Sequence, residues 1–203
     1  MTEGFLQRFP AATVVQLGCG LDTRFQRLDN GRVTWFDLDL SDVIALRRQL
    51  LPESQRYRYL ASSAFDPGWM DVVSAAGAGP FLFLSEAVLV YFEEARVKDL
   101  ILTLQHRFAG AELATDAATP LMLRLDNLHL MVTRSAARIR WGLRDPRDVE
   151  GWSPGIKLLE TFSYFDPPEP RMEFPPWMSR FGPIANGQRI LRYLLGPAPG
   201  PTA

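Results

Sequence analysis

The sequence is poor in the residues that metal centres and disulfide scaffolds need. Its 203 residues include one cysteine, Cys19, and two histidines, His106 and His129. A lone cysteine excludes an intramolecular disulfide and favours a reducing compartment, so we expect a cytoplasmic protein. Two histidines and one cysteine at these spacings do not form a zinc ligand set, and we expect no metal site.

A basic excess and a long apolar run are also lacking. The formal net charge is −1, whereas domains that bind nucleic acid or anionic lipid usually show clustered positive charge. The most apolar stretch, 80–92, is interrupted by Ser85 and Glu86 and is too short for a bilayer, so we interpret it as a buried strand. Residues 1–10 have no apolar core and do not resemble a signal peptide. We expect no nucleic-acid or membrane partner.

What the sequence does contain is an alternation of β-rich runs and helical patterns. Seven runs predict strands, at 12–17, 33–40, 57–60, 81–84, 113–116, 158–165 and 189–195. Helical spacing is clear at 41–51, with Ser41 as the expected N-cap, and at 93–108. This order predicts an α/β fold with a mostly parallel doubly wound sheet and a late antiparallel strand pair.

We expect one domain over residues 1–196, because a chain of this length can form one sizeable core but hardly two. Within it, 120–150 is predicted to be a helical insertion and 166–186 a proline-rich loop. The tail at 197–203 contains only Pro, Ala, Gly and Thr and is expected to be disordered.

In an open α/β sheet, ligands bind at the carboxyl ends of the strands. The first such end is Gly18-Cys19-Gly20, where two glycines allow a sharp turn and a close approach of the backbone to a ligand. A dinucleotide fingerprint would need a third glycine where Thr23 stands. A nucleoside without a pyrophosphate needs only the close approach, so S-adenosylmethionine fits better than NAD. A tight turn with no ligand is the alternative.

The second strand end supplies carboxylates. Asp37 and Asp39 share one face of the predicted strand by alternation, and Asp39 lies directly before the next helix. A carboxylate there can accept hydrogen bonds from both ribose hydroxyls of a nucleoside. A glycine turn followed about twenty residues later by such a carboxylate is a recognised nucleoside-binding arrangement. Helix capping or a solvated charge is the alternative.

Glu86 follows the fourth predicted strand in a run that is otherwise almost wholly apolar. A buried carboxylate without a partner would be unfavourable, so a cationic or donor-rich group should face it. The ammonium or sulfonium end of a ligand and a helix N-terminus are the two candidates. No catalytic residue is evident. His129 is a weak candidate for a general base.

Four blocks of the sequence, in order and spacing, resemble the leucine carboxyl methyltransferase family, and within it the bacterial polyketide-type O-methyltransferases of the tetracenomycin type. The blocks are 14–28 (VVQLGCGLDTRFQRL), 35–51 (WFDLDLSDVIALRRQLL), 59–69 (YLASSAFDPGW) and 81–92 (FLFLSEAVLVYF). The resemblance implies a Rossmann-like class I methyltransferase fold with S-adenosylmethionine as the cofactor. It also implies methyl transfer to an oxygen of a small-molecule carboxylate or phenol, in polyketide or other secondary metabolism.

By this resemblance, Asp39 is the ribose acid, Ser63 and Ala64 contact adenine, and Glu86 lies near the methionine part of the cofactor. Asp22 belongs to the matching motif or caps the first helix. The full expected cofactor-binding set is Gly18, Cys19, Gly20, Asp22, Arg24, Asp37, Asp39, Leu40, Ser63, Ala64 and Glu86.

Family members usually carry a helical segment before the first strand, which covers the cofactor and supplies an arginine. Here the first strand is predicted near residue 13, so the resemblance implies an open pocket. We expect 120–150, 166–186 or a homodimer contact to cover its mouth. Two alternatives stay open: a shortened nucleoside-binding homologue without turnover, and a nicotinamide oxidoreductase, which Thr23 disfavours.

Overall fold

Seven strands join one sheet in the computed structural model, which describes residues 1–77, 79–132, 137–163 and 187–198. The strands are β1 (Thr13–Leu17), β2 (Thr34–Asp39), β3 (Tyr57–Ala61), β4 (Phe81–Ser85), β5 (Ala111–Ala118), β6 (Ile156–Ser163) and β7 (Gln188–Leu195). The helices are α1 (Thr2–Arg8), α2 (Arg24–Leu28), α3 (Ser41–Leu50), α4 (Gly68–Ala76), α5 (Glu94–Arg107) and α6 (Pro120–Val132). Short 3-10 helices occupy Leu89–Tyr91 and Pro146–Trp152.

The strand order is β3-β2-β1-β4-β5-β7-β6. The first five strands pair in parallel, whereas β7 is antiparallel to both β5 and β6. These observations confirm the predicted mostly parallel sheet with a late antiparallel pair. The order reverses between β1 and β4, and a crevice forms at such a reversal in open α/β sheets.

Helices cover both faces of the sheet, which is why β1 is buried along its whole length. Alternate residues of the strands therefore enter two separate cores. One core joins Val15, Leu17, Phe36, Leu38 and Phe83 to α4 and α5. The other joins Val14, Trp35, Tyr57, Tyr59 and Leu82 to α1, α2 and α3.

Each predicted strand is present, with ends displaced by no more than two residues where the chain is described. The interpretation of 80–92 as one strand is wrong. β4 ends at Ser85, Ala87 adopts a left-handed backbone conformation (φ 55°), and a 3-10 helix follows. Ser41 begins α3 but does not cap it, because Leu40 holds the N-cap position.

The structure describes residues 120–132 and 137–150 of the predicted helical insertion. Helix α6 covers the first part of this segment. A 3-10 helix follows near residue 146, and a reciprocal capping box between Asp145 and Asp148 caps its N-terminus. The predicted proline-rich loop at 166–186 and residues 199–203 of the tail lie outside the described residues. None of the helices in the described ranges combines the length and apolarity needed to cross a membrane.

A buried cation ties α3 to three other parts of the fold. Arg47 is fully buried and pairs with the Asp37 carboxylate of β2. It also donates to the hydroxyl oxygen of Tyr57 (2.6 Å) and to the carbonyl oxygens of Gly20 (2.8 Å) and Asp22 (2.6 Å). Burial opposes the charge of Arg47, but the Asp37 carboxylate outweighs it and raises the pKa of the guanidinium.

The carboxylate of Asp37 accepts three hydrogen bonds within the same network. Besides Arg47, the Tyr57 hydroxyl donates to its Oδ2 (2.6 Å) and the Trp35 indole N–H donates to its Oδ1 (2.8 Å). Asp37 is 0% exposed. The structure therefore corrects the expectation that Asp37 contacts a cofactor, because it lies two residues deeper in β2 than Asp39 and faces the core.

Replacing Arg47 by Met should leave the Asp37 carboxylate buried without its cation. Breaking a buried ion pair in this way costs about 3–5 kcal/mol, so we expect Arg47→Met to lower the free energy of unfolding by that amount. The matched control is Arg48→Met, since Arg48 pairs with Glu53 at the surface and exposed pairs contribute about 0–1 kcal/mol. Urea titration followed by circular dichroism measures both. Equal losses for the two variants would contradict this role of Arg47.

Helix α1 has no counterpart in the sequence prediction and depends on one aromatic anchor. Phe5 is 1% exposed and packs into the core that contains Val14 and Trp35. We expect Phe5→Ala to destabilise the protein by about 3–5 kcal/mol, the usual cost of emptying a buried phenyl site. Leu46→Ala, at a residue that is 45% exposed, should change stability by no more than about 0.5 kcal/mol. If the same urea titration finds similar small effects, α1 is not part of the core.

Candidate functional site

A cleft of about 340 Å³ lies at the carboxyl ends of β1 and β2, beside the loops that follow β3 and β4. This is the place where the strand order reverses. The residues that line it are Gly18, Gly20, Leu38, Asp39, Leu40, Ser62, Ser63, Ala64, Phe65, Ala87, Val88, Tyr91 and Phe92. The structure thus brings together six residues of the expected set: Gly18, Gly20, Asp39, Leu40, Ser63 and Ala64.

The turn after β1 requires glycine at both of its lining positions. Gly18 and Gly20 have φ values of 68° and 49°, in the left-handed region. A Cβ on Gly18 would also lie 2.2 Å from Cγ2 of Val88, whereas a Cβ on Gly20 would meet nothing within 4 Å. Gly18 thus allows the loop after β4 to pack against the turn, and Gly20 leaves open space in front of the backbone.

Asp39 joins the turn to the end of β2. Its Oδ2 accepts a hydrogen bond from the Gly20 N–H (2.7 Å), and its Oδ1 accepts one from the Leu40 N–H (2.8 Å). A carboxylate can accept about four hydrogen bonds. The two oxygens therefore keep capacity for donors from a ligand in the cleft, while the turn stays in place.

Part of the cleft lining is aromatic. The rings of Phe65 and Phe92 lie 4.4 Å apart between centroids, and the Arg96 guanidinium covers the Phe65 ring at 4.3 Å. The hydroxyl oxygen of Ser63 accepts a hydrogen bond from the Phe65 N–H (3.3 Å), which braces the loop after β3. Such walls suit a flat aromatic base, and the loop offers polar atoms for its edge.

Cys19 lies beneath the turn and does not line the cleft. It is 3% exposed, and burial raises the pKa of its thiol to about 12. The residue is therefore a small packed side chain in thiol form, although it belongs to the expected cofactor-binding set.

Arg24, Asp22 and Glu86 form a separate ionic group beside the cleft. Arg24 lies 2.7 Å from the Glu86 carboxylate and 3.2 Å from that of Asp22. The Glu86 side chain is 44% exposed, so the expectation of a buried carboxylate is wrong, and the facing cation comes from the chain itself. Asp22 does not cap α2, where Thr23 holds the N-cap position.

A second chamber, of about 270 Å³, adjoins this ionic group at the ends of β4 and β5. Its lining residues are Met1, Thr2, Arg24, Leu84, Ser85, Glu86, Ala114, Asp116, Glu160, Phe162 and Ile190. We call it the β5 chamber. Burial raises the pKa of Asp116 in this chamber to about 6. Sequence reasoning missed this residue, although a carboxylate near a strand end was the available signal.

The remaining candidates do not reach the cleft in the described part of the chain. His129 lies on α6, and its side chain falls outside that part. No residue of 120–150 appears among the described lining residues of the cleft. Asp126 and Ile139 line a smaller neighbouring pocket that shares Ala87 and Tyr91 with the cleft. The expected cover of the mouth by 120–150 or 166–186 stays a prediction.

Residues 2–105 match the leucine carboxyl methyltransferase family. The tetracenomycin polyketide synthesis O-methyltransferase TcmP of Streptomyces glaucescens is 33% identical over 165 residues, which are 81% of this chain and 60% of TcmP. The S-adenosyl-L-methionine-dependent methyltransferase dpfgK of Gibberella zeae is 31% identical over 172 residues, 78% of this chain and 57% of dpfgK. The chain thus spans about three fifths of the length of these relatives.

Among solved structures, the magnesium protoporphyrin IX methyltransferase ChlM of Synechocystis PCC 6803, with bound SAH, superposes with a TM-score of 0.58 at 14% identity. The match covers 95% of this chain and 80% of ChlM. Together with the sheet order, this similarity confirms the Rossmann-like class I methyltransferase fold. With the match over residues 2–105 and the identity to TcmP, it follows that the chain belongs to the leucine carboxyl methyltransferase family.

Proposed function

We propose that the chain binds S-adenosylmethionine in the cleft and transfers the methyl group to an oxygen atom of a small molecule. The observation that carries the proposal is the position of Asp39. Its carboxylate stands at the end of β2, beside a turn without side chains at Gly18 and Gly20, and keeps free acceptor capacity. A ribose diol presents two hydroxyl donors at one edge, which matches this carboxylate.

The rest of the cleft, together with the ionic group beside it, fits the other parts of the same cofactor. Phe65 and Phe92 offer flat apolar surface for adenine, and Ser63 lies at the edge of that surface. The cation of Arg24 and the carboxylate of Glu86 stand side by side, which complements the zwitterionic end of methionine. The cleft volume of about 340 Å³ falls within the range of small-ligand sites, about 300–1,000 Å³.

S-adenosylmethionine, when bound, would supply a methyl group on a sulfonium sulfur. An oxygen nucleophile would attack the methyl carbon in line, and the sulfur would leave as a neutral thioether. The protein's part is to orient the acceptor oxygen and to exclude water, because alignment of the reacting atoms accounts for much of the rate. The loop after β4 lines both spaces, with Ala87 and Val88 in the cleft and Glu86 in the β5 chamber. That chamber is the adjoining space in which an acceptor would lie.

The family relatives support both parts of the proposal. One of them is named as an S-adenosyl-L-methionine-dependent methyltransferase, and the other as an O-methyltransferase of polyketide synthesis. We infer that the acceptor of this chain is of the same broad kind, a small molecule with an oxygen nucleophile.

The first test is selective stabilisation by ligand. S-adenosylmethionine or S-adenosylhomocysteine, at about 100 times its Kd, should stabilise the native state by about 2.7 kcal/mol. For a domain of this size the melting temperature should rise by about 5–10 °C, whereas NAD should leave it unchanged. Differential scanning fluorimetry measures the shifts. No shift with either nucleoside at millimolar concentration would sink the proposal, and a shift with NAD alone would favour an oxidoreductase.

The second test concerns Asp39. Asp39→Ala should weaken S-adenosylhomocysteine binding by about 1.5–3 kcal/mol, the scale of charge-assisted hydrogen bonds, which is about 10- to 150-fold in Kd. Asp42→Ala is the matched control, because Asp42 is an exposed carboxylate in the first turn of α3 outside the cleft lining.

Calorimetric titration gives both Kd values, and the melting temperature without ligand shows whether either variant disturbs the turn. Because Asp39 also accepts from the Gly20 N–H, Asp39→Asn serves as a second variant that keeps an acceptor for this bond. Equal affinities of wild type and Asp39→Ala would reject the ribose assignment.

A further inference from the structure

Four strands end in one row at the carboxyl edge of the sheet. Leu17 of β1 is in register with Leu38 of β2 and with Ser85 of β4, and Ser85 is in register with Thr115 of β5. The residues that follow these four continue the row. In order across the sheet they are Asp39, Gly18, Glu86 and Asp116. Since neighbouring strands lie about 4.8 Å apart, the backbone of Asp116 is about 10 Å from the glycine turn of the cleft.

Asp116 is hydrogen-bonded to the lining of the cleft. Its Oδ1 accepts a hydrogen bond from the Ala87 N–H (3.0 Å), and Ala87 lines the cleft in a left-handed conformation, with φ 55°. Asp116 also lines the β5 chamber and the smaller pocket that shares Ala87 and Tyr91 with the cleft. The carboxylate is therefore one hydrogen bond away from the space proposed for the cofactor.

Several elements place charged groups near Asp116. Those that line the β5 chamber or the smaller pocket are Arg24 of α2, Glu86 after β4, Asp126 of α6, Glu160 of β6 and the α-amino group of Met1. Arg24 is shared by two carboxylates, since it lies 2.7 Å from that of Glu86 and 3.2 Å from that of Asp22. The charge of Arg24 is therefore already matched within its own ionic group.

Asp116 has no such partner. Among the described residues, no lysine or arginine forms an ion pair with it, and its carboxylate accepts hydrogen bonds from backbone N–H groups alone. Burial and the charge of Glu86 raise the pKa of Asp116 to about 6, and only these backbone hydrogen bonds act in the other direction. The ionised Asp116 therefore holds an unmatched negative charge at the end of the row.

The proposed cofactor would bring a fixed positive charge to this row. With the ribose at Asp39 and the methionine part at Arg24 and Glu86, the sulfonium that joins the two parts would lie between them. Asp39 is then engaged by the ribose and Glu86 by Arg24. Asp116 is the next carboxylate along the row, and charges in a partly buried site interact more strongly than in water.

We propose that the Asp116 carboxylate is the counter-charge of the sulfonium and makes the cleft favour S-adenosylmethionine over its demethylated product, an inference that rests on the proposed function. Methyl transfer moves the methyl group to the acceptor oxygen and leaves the bonding pair on sulfur, so the product is a neutral thioether. The attraction to Asp116 is present before transfer and absent after it. It therefore contributes to cofactor binding and product release and not to the rate of transfer. The acceptor class is not restricted by this charge, because the Arg24 cation lines the same chamber.

The ionisation of Asp116 gives this preference a dependence on pH. A sulfonium beside the carboxylate favours its ionised form, so binding lowers the pKa of Asp116 from about 6. Binding of S-adenosylmethionine then releases a proton when the pH is at or below this value. The affinity for S-adenosylmethionine should therefore rise with pH up to about 6 and level off above it. S-adenosylhomocysteine carries no charge on sulfur, and its affinity should lack this rise.

Calorimetric titration with the two ligands, without an acceptor, tests the role of Asp116 by binding alone. Well above pH 6, Asp116→Asn should weaken S-adenosylmethionine binding about tenfold, which corresponds to a coupling of one pKa unit, and leave the Kd for S-adenosylhomocysteine within about twofold. The amide oxygen of the variant can still accept from the Ala87 N–H. The matched control is Asp99→Asn, which removes the same charge from an exposed residue of α5 outside the cleft and the chamber and should leave both Kd values unchanged.

The pH profile of the wild-type protein is the second readout and needs no variant. Its affinity for S-adenosylmethionine relative to S-adenosylhomocysteine should rise about tenfold through pH 6. A flat ratio would overturn the proposal, and so would equal weakening of both ligands in Asp116→Asn, because that result assigns Asp116 only a structural role through Ala87. If neither ligand binds the wild-type protein, the proposed function itself fails. If both bind and the ratio does not depend on Asp116, only the role of Asp116 falls.

Discussion

The buried pair of Arg47 and Asp37 is the interaction on which the geometry of the cleft depends. The guanidinium comes from α3, the carboxylate from β2 and the neighbouring hydroxyl from Tyr57 of β3. The same guanidinium holds the carbonyl oxygens of Gly20 and Asp22. The turn after β1 is thus held from below by Arg47 and from the side by Asp39.

This arrangement explains how Gly18 and Gly20, which on their own favour a flexible loop, form a turn with one defined conformation. Each glycine supplies a backbone conformation that other residues adopt rarely, and the surrounding polar groups select one conformation from the many available. The energetic cost of burying the Arg47 charge is met by ionic and hydrogen-bonding partners on several elements. A loss of any partner would therefore disturb both the core and the cleft.

The sequence predicted the strands and the place of the cleft well, because apolar alternation and strand-end residues are local signals. Gly18, Gly20 and Asp39 could be found in this way. The burial of individual side chains was harder to infer. Alternation placed Asp37 and Asp39 on the same face of β2 but could not show that Asp37 is covered by α3 and β3. Likewise, the apolar neighbours of Glu86 suggested burial, whereas a backbone reversal at Ala87 leaves its side chain partly exposed.

Long-range partners were beyond local reasoning. An arginine in a helix is usually solvated, so nothing in the helical pattern of 41–51 distinguished Arg47 from Arg48. The same holds for Asp116, because the Ala87 N–H that donates a hydrogen bond to its carboxylate lies 29 residues earlier in the chain. Helix α1 was missed because seven residues are too few to show a periodic stripe, and its burial depends on contacts with the sheet.

The position of Cys19 allows opening of the fold near the cleft to be measured by chemical modification of its thiol. Cys19 lies in the same turn as Gly18 and Gly20, is 3% exposed and belongs to the core that α1, α2 and α3 cover. An alkylating reagent can therefore reach its thiol only when this part of the fold opens. The rate of thiol modification thus measures how often this part of the fold opens, with no label added and with one cysteine in the whole sequence. Motion at the cleft can be followed chemically in the unaltered protein, apart from any assay of its activity.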